Sequence, residues 1–115
     1  MANSCIFCKI IAREVPASVV SESDAWLSFN DINPQAPVHI VLISKKHAAN
    51  LSELGPGAAP LVSGLIGEAE RLTREKRLIQ EGYRIVLNCN ANGGQTVPHL
   101  HFHILAGRPM KWPPG

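Results

Sequence analysis

The chain has 115 residues, 45% hydrophobic and 17% charged, with a formal net charge of +2. That is enough for one packed domain spanning 1–115, too little for two, and too apolar for a disordered chain. Lys45-Lys46 and the mixed-sign stretch 71–77 are too sparse to follow a phosphate backbone, and no run approaches the roughly 20 apolar residues of a membrane span, so neither nucleic acid nor membrane is expected as a partner.

The start, MANSCIFCKIIAREV, has neither a basic lead into a long apolar run nor a small-residue cleavage site. With three cysteines, an odd number, it reads as a protein of a reducing compartment, the cytoplasm. Cys5 to Arg13 predicts one or two helical turns with Ser4 as the N-cap, stopped before Pro16. Val19 to Ser23 and Trp26 to Asn30 predict two short strands joined by a Ser23-Asp24 turn, and 33–37 (NPQAP) a loop. Val38 to Ser44 (VHIVLIS) has the β-branched, unbroken apolar character of a strand covered on both faces. Gly55-Pro56-Gly57 breaks the chain before a helix expected from about Ala59 to Gln80, with Leu61, Leu65, Ala69, Leu72 and Ile79 as its apolar stripe and Gly82 as its stop. Tyr83 to Asn88 is another strand, followed by the loop 90-NANGGQTVP-98, a histidine-bearing strand and an irregular tail. The fold class is therefore α+β: a mostly antiparallel sheet with one long and one short helix.

The segment 98-PHLHFHIL-105 carries three of the five histidines at every second position. In an extended segment these face one side, about 6.5–7 Å apart, and Leu100, Phe102 and Ile104 face the other. Three readings are open: an exposed polar face, a metal site, and a catalytic row. A single ion cannot be wrapped by all three on a straight strand, because the outer Cα atoms stand roughly 13 Å apart while zinc needs nitrogens about 2.0–2.1 Å away; two could serve with a ligand from elsewhere. In the catalytic reading one imidazole attacks an electrophile while its neighbours orient it, since histidine is partly unprotonated at neutral pH. The preceding Asn92-Gly93-Gly94-Gln95-Thr96 is on its own a hairpin turn. Beside the histidines, its glycines and polar side chains suit a phosphate.

The run 99-HLHFHIL-105 resembles the His-x-His-x-His signature of the histidine triad (HIT) superfamily of nucleotide hydrolases and transferases. The resemblance extends over 6-IFCKIIAREVPA-17, 29-FNDINPQAPVHIVLISKKH-47, 83-YRIVLN-88 and 93-GGQTVPHLHFH-103. The tail 107-GRPMKWPPG-115 is similar to the Hint branch, the purine nucleoside phosphoramidases. The resemblance implies a five-stranded sheet that pairs into a ten-stranded one in a homodimer. It also implies a nucleoside phosphoramidase acting on AMP- or GMP-type substrates without a catalytic metal. Its runners-up are dinucleoside polyphosphate hydrolysis and a regulatory nucleotide-binding module with weak catalysis. By the same resemblance His101 is the nucleophile, His103 a phosphate contact, His39 the residue orienting the nucleophile, and His99 the first triad member. Gly94, Gln95, Thr96 and Asn88 match phosphate contacts, Asp31 the ribose-binding carboxylate, and Phe7, Ile10, Phe29 and Ile32 the base-pocket walls. Trp112 matches a residue that reaches the partner's site. Some relatives bind structural zinc, and the matching ligands are Cys5, Cys8, His47 and His99. Asn30 and Pro98 depart from the pattern, which commonly has histidine and an aromatic residue there.

Overall fold

The computed structural model describes residues 4–115. Five strands, β1 (Val19–Glu22), β2 (Trp26–Asn30), β3 (Val38–Ser44), β4 (Tyr83–Val86) and β5 (His101–Ala106), form one sheet in the order β1-β2-β3-β5-β4. Every neighbouring pair is antiparallel. The expected α+β sheet is thus present, with β3 at its centre, which is why that strand is apolar without alternation.

The pleat divides the core into two layers. Ile40 and Leu42 of β3 join Phe102 and Ile104 of β5, and Leu100 just before it, against Leu65, Ala69 and Leu72 of the long helix α3 (Ala58–Glu75). On the opposite face Val41 and Ile43 pack with Leu27 and Phe29 of β2 and with Cys5, Phe7 and Ile10, the last two on the short helix α1 (Ile6–Ile11). His101 and His103 lie on this second face, next to α1.

Several boundaries differ from expectation, each for a local reason. The N-cap of α1 is Cys5 rather than Ser4; the Cys8 N–H donates to Cys5 Sγ at 3.4 Å. β1 ends at Glu22, because the Ser23 hydroxyl closes the turn by accepting from the N–H groups of Ala25 and Trp26. Gly55-Pro56-Gly57 breaks the helical path as expected: Gly55 (φ 58°) ends a one-turn helix, α2 (Leu51–Leu54), which Asn50 caps through the Glu53 N–H, and the three residues form a 3₁₀ turn leading into α3. α3 stops at Glu75, not Gln80, because Arg77 takes a left-handed conformation (φ 59°) and Leu78 N–H turns back to Thr73 C=O at 2.8 Å. Ile79 therefore lies beyond the helix and is exposed. β4 is two residues shorter than expected, and β5 begins at His101 instead of His99.

Two tertiary contacts bear on the site. Glu68, buried on α3, accepts hydrogen bonds from Arg71 and from the Ser21 hydroxyl at 2.6 Å, tying α3 to the β1–β2 edge. Gly107 (φ 95°) ends β5 against the 33–37 loop, so close that a Cβ there would lie 2.8 Å from Pro37 Cβ.

Candidate active site

The histidine row is not one row. His101 opens β5, whereas His99 sits in a bend produced by Pro98 and a tight turn in which its N–H donates to Val97 C=O at 2.8 Å. The ring of His99 is wholly buried and leaves the strand face for the N-terminal cysteines. Nor is the row an exposed face: His101 is 4% exposed, and His39 is buried as well.

Hydrogen bonds fix the proton positions. His101 Nδ1 lies 2.6 Å from the carbonyl oxygen of His99, which can only accept, so Nδ1 carries the proton and Nε2 the free lone pair. His39 Nδ1 accepts the Gln35 backbone N–H at 3.0 Å, so its proton is on Nε2, which donates to His103 Nδ1 at 2.8 Å. His103 in turn keeps its proton on Nε2. Asp31 Oδ2 stands 3.4 Å from the same His39 Nε2, and Asp31 Oδ1 accepts the Asn33 N–H at 2.8 Å. The aspartate therefore does cap its turn, as local sequence implies, and also faces the histidine relay. The His101 and His103 rings meet edge to face with centroids 4.9 Å apart, and Phe7 packs against His101 at 5.1 Å.

Burial holds these imidazoles neutral. Desolvation pulls His101 and His39 below the ordinary histidine value despite the nearby Asp31 charge. For His103, burial and then its two histidine neighbours lower the pKa to about 4. At neutral pH the site thus presents a deprotonated Nε2 on His101, the form needed for nucleophilic attack.

The loop 90–98 differs from the expected phosphate cradle. The Gly94 N–H donates to Ala91 C=O and the Gln95 N–H to Asn90 C=O. The Gln95 amide donates to Ala49 C=O at 2.6 Å and Val97 C=O at 3.0 Å while accepting the Asn90 N–H. Its donors are spent on locking the loop, so Gln95 is not a free phosphate ligand here, and Gly94 supplies a left-handed turn (φ 81°) instead. Thr96 is exposed beyond that lock and lines a cleft of about 320 Å³ with Ser4, Cys5 and His47.

The other expected nucleotide contacts fall into two groups. Phe7, Ile10 and Phe29 form a buried wall on the α1 side, Phe7 and Phe29 meeting edge to face at 5.6 Å. Asn88 and Trp112 line a cleft of about 820 Å³ between β4 and the tail, with Arg84 and Arg108. The Val86–His103 pairing puts His103 at the border between the groups. Ile32, expected as a wall, is 100% exposed on its loop, and Trp112 is 84% exposed. Asn30 turns to the Ser18 hydroxyl. Two groups that the sequence did not mark complete the site: the Gln35 N–H and the Ser44 carbonyl, both main-chain atoms whose role no side chain announces.

Cys5, Cys8, His47 and His99 converge as a second constellation, with Sγ and Nδ1 atoms all within 4.8 Å of one another. His99 Nε2–H donates to Ser44 C=O at 2.6 Å, so its Nδ1 lone pair faces inward. It lies 3.3 Å from Cys5 Sγ, 3.6 Å from Cys8 Sγ and 3.1 Å from His47 Nδ1. Four ligands at 2.0–2.3 Å on a tetrahedron stand roughly 3.3–3.8 Å apart, so these donors fit a metal ion. The fit also accounts for two imidazole nitrogens meeting at hydrogen-bond distance. Burial and the neighbouring Cys5 push the Cys8 thiol up to about 11, a penalty that a bound cation would reverse.

An antiparallel sheet whose central strands carry a neutral histidine with a free Nε2 beside a pair of hydrogen-bonded histidines belongs with the histidine triad proteins. The HIT domain model matches residues 12–110, and the chain belongs to the HIT family. Over 115 residues, all of both chains, it is 49% identical to an uncharacterized HIT-like protein of Synechocystis sp.. It is 36% identical over 110 residues (96% of this chain, 92% of the other) to the purine nucleoside phosphoramidase of Escherichia coli K12. Among solved structures, a HIT family hydrolase from Legionella pneumophila superposes with a TM-score of 0.93 at 45% identity, covering 96% of this chain and 99% of that one. A histidine triad protein from Clostridium difficile gives 0.90 at 42%, covering 94% of each.

Proposed function

We propose that the protein hydrolyses purine nucleoside 5′-phosphoramidates by covalent catalysis. His101 Nε2 attacks the α-phosphorus, the P–N bond breaks and the departing amine takes a proton from solvent. Water then attacks the phosphorus, the P–Nε2 bond breaks, the water's proton returns to solvent, and the nucleoside monophosphate, AMP or GMP, is released. A labile phosphorus–imidazole bond divides one difficult displacement into two easier ones. His103, held by His39 with its proton on Nε2, stabilises charge on the phosphoryl oxygens, and no metal takes part in the reaction. Asp31 accepts from the ribose hydroxyls, Phe7, Ile10 and Phe29 back the base, and Asn88 and Thr96 approach the phosphate.

The observation that carries this reading is the 2.6 Å bond from His101 Nδ1 to the His99 carbonyl, which leaves a buried, neutral Nε2 free. The similarity to the E. coli phosphoramidase supports the substrate class. The cysteine–histidine cluster is read as a structural zinc site, since two thiols and two imidazoles are the donor set that ion favours. β4 lies at the edge of the sheet, which suits pairing with a second copy into ten strands, with Trp112 directed to the partner's site. The cytoplasm is the compartment in which such thiols stay reduced. The test is to quench turnover of a slow phosphoramidate and map the adduct by mass spectrometry. A nucleotidyl group on His101 is expected, and an adduct on any other residue would overturn the reading.

A further inference from the structure

Building on the covalent-histidine reading above, we infer that His99 is a positioning residue through which the metal cluster controls the geometry of the nucleophile. Three groups of this one wholly buried residue point three ways. Its Nδ1 faces Cys5, Cys8 and His47 at 3.1–3.6 Å, its Nε2–H is held by Ser44 C=O at 2.6 Å, and its carbonyl receives the His101 Nδ1–H at 2.6 Å. With both ring nitrogens fixed, the ring cannot turn, and a bend anchored at that ring holds its carbonyl where His101 needs it.

A second connection runs in parallel. The helix that carries Cys8 also carries Phe7, whose ring packs on His99 at 5.7 Å and on His101 at 5.1 Å. A cation joining the cysteines to His99 therefore fixes both the hydrogen-bond acceptor of the nucleophile and one wall beside it. Without the cation, His99 Nδ1 is left as an acceptor for the thiols of Cys5 and Cys8 and for His47 Nδ1–H at 3.1 Å. His47 is exposed and can swing out, which leaves the Ser44 bond and the weak thiol contacts as the restraints on the His99 ring. Asp31, on the far side of the His39–His103 pair, takes no part in this connection.

A cluster that only staples the fold would change the melting temperature and nothing at His101; positioning predicts a spectroscopic and kinetic signature in protein that remains folded. The experiment compares wild type loaded with zinc chloride, wild type stripped by a chelator, and His47→Ala, at a temperature where circular dichroism shows all three folded. Long-range ¹H–¹⁵N spectra report which nitrogen of His101 carries the proton, single-turnover labelling by a slow phosphoramidate reports attack, and AMP titration reports binding.

In stripped protein His101 is expected to lose its single Nδ1–H signature. Labelling slows roughly 10- to 100-fold, the scale of an ångström-sized misplacement. AMP affinity falls by a smaller factor than labelling does, because Asp31, Ile10 and Phe29 hold the nucleotide along with Phe7. Zinc restores wild type and fails to restore His47→Ala. An unchanged His101 spectrum with unchanged labelling in stripped, folded protein overturns the inference. A loaded protein with the Nδ1–H signature but no adduct on His101 would sink the phosphoramidase reading instead, and the response of that spectrum to zinc would still decide the coupling.

Discussion

The protein holds two clusters that each contain a pair of histidines, with opposite internal logic. In Asp31–His39–His103, donors and acceptors alternate: Gln35 N–H to His39 Nδ1, His39 Nε2–H to His103 Nδ1. The contact at 2.8 Å is made by a proton, and His39 Nε2, being protonated, has no lone pair for an ion. In Cys5–Cys8–His47–His99 the Ser44 carbonyl takes the outward proton of His99, so its Nδ1 lone pair faces the two thiols and His47. Beyond the thiols, the neighbouring main-chain atom, a donor in one case and an acceptor in the other, decides which imidazole nitrogen carries the proton and which keeps its lone pair toward the cluster.

That contrast breaks most sharply at the nucleophile. His101→Ala should lower turnover by about 10⁴-fold or more and abolish labelling, with AMP affinity and zinc content unchanged by calorimetry and metal analysis. Cys8→Ser, or chelation of wild type, should lower the melting temperature by about 10 °C, as expected when a ligand of the folded state alone is removed. Asp31→Asn should leave the metal content and its response to chelator unaltered; an equal loss of metal in that variant would erase the distinction. His39→Asn should reduce kcat about 10- to 100-fold with little change in AMP affinity, since it removes a group that orients another.

Acid sharpens the comparison. His103 titrates near 4 in the folded protein and near 6.5 in the unfolded chain, so between those values the unfolded state binds the extra proton. Stability should hold above pH 6.5 and fall as pH drops toward 4, and urea melts across that window measure it. His103→Gln should flatten that dependence. The smallest effect belongs to Asp31→Asn on substrate choice, which should narrow the preference for ribose over deoxyribose by about 1 kcal/mol, read from the ratio of kcat/KM values.

Much of this was legible before any coordinates. The unbroken apolar run 38–44 gave the central strand, Leu65, Ala69 and Leu72 gave the buried face of α3, and the spacing of His101 and His103 put both on one face with Phe102 and Ile104 on the other. What escaped was carried by the main chain. Nothing in the side chains of Gln35 or Ser44 foretells that an N–H of one and a C=O of the other assign imidazole tautomers. His99 left the strand because Pro98 and a three-residue turn override alternation. Gln95 matched a ligand by type yet spends its amide on the main-chain oxygens of Ala49 and Val97, and α3 ended early where Arg77 took up a left-handed conformation that no glycine signalled.

One absent methyl group governs more than its neighbourhood. Gly107 ends β5 with a backbone angle unfavourable to other residues and leaves no room for a Cβ against Pro37. Pro37 belongs to the same short loop as Gln35, whose N–H sets the tautomer of His39. Alanine at 107 must displace that loop, so a substitution bearing no chemistry of its own would reach the Nε2 of His103 by mechanical transmission through three residues.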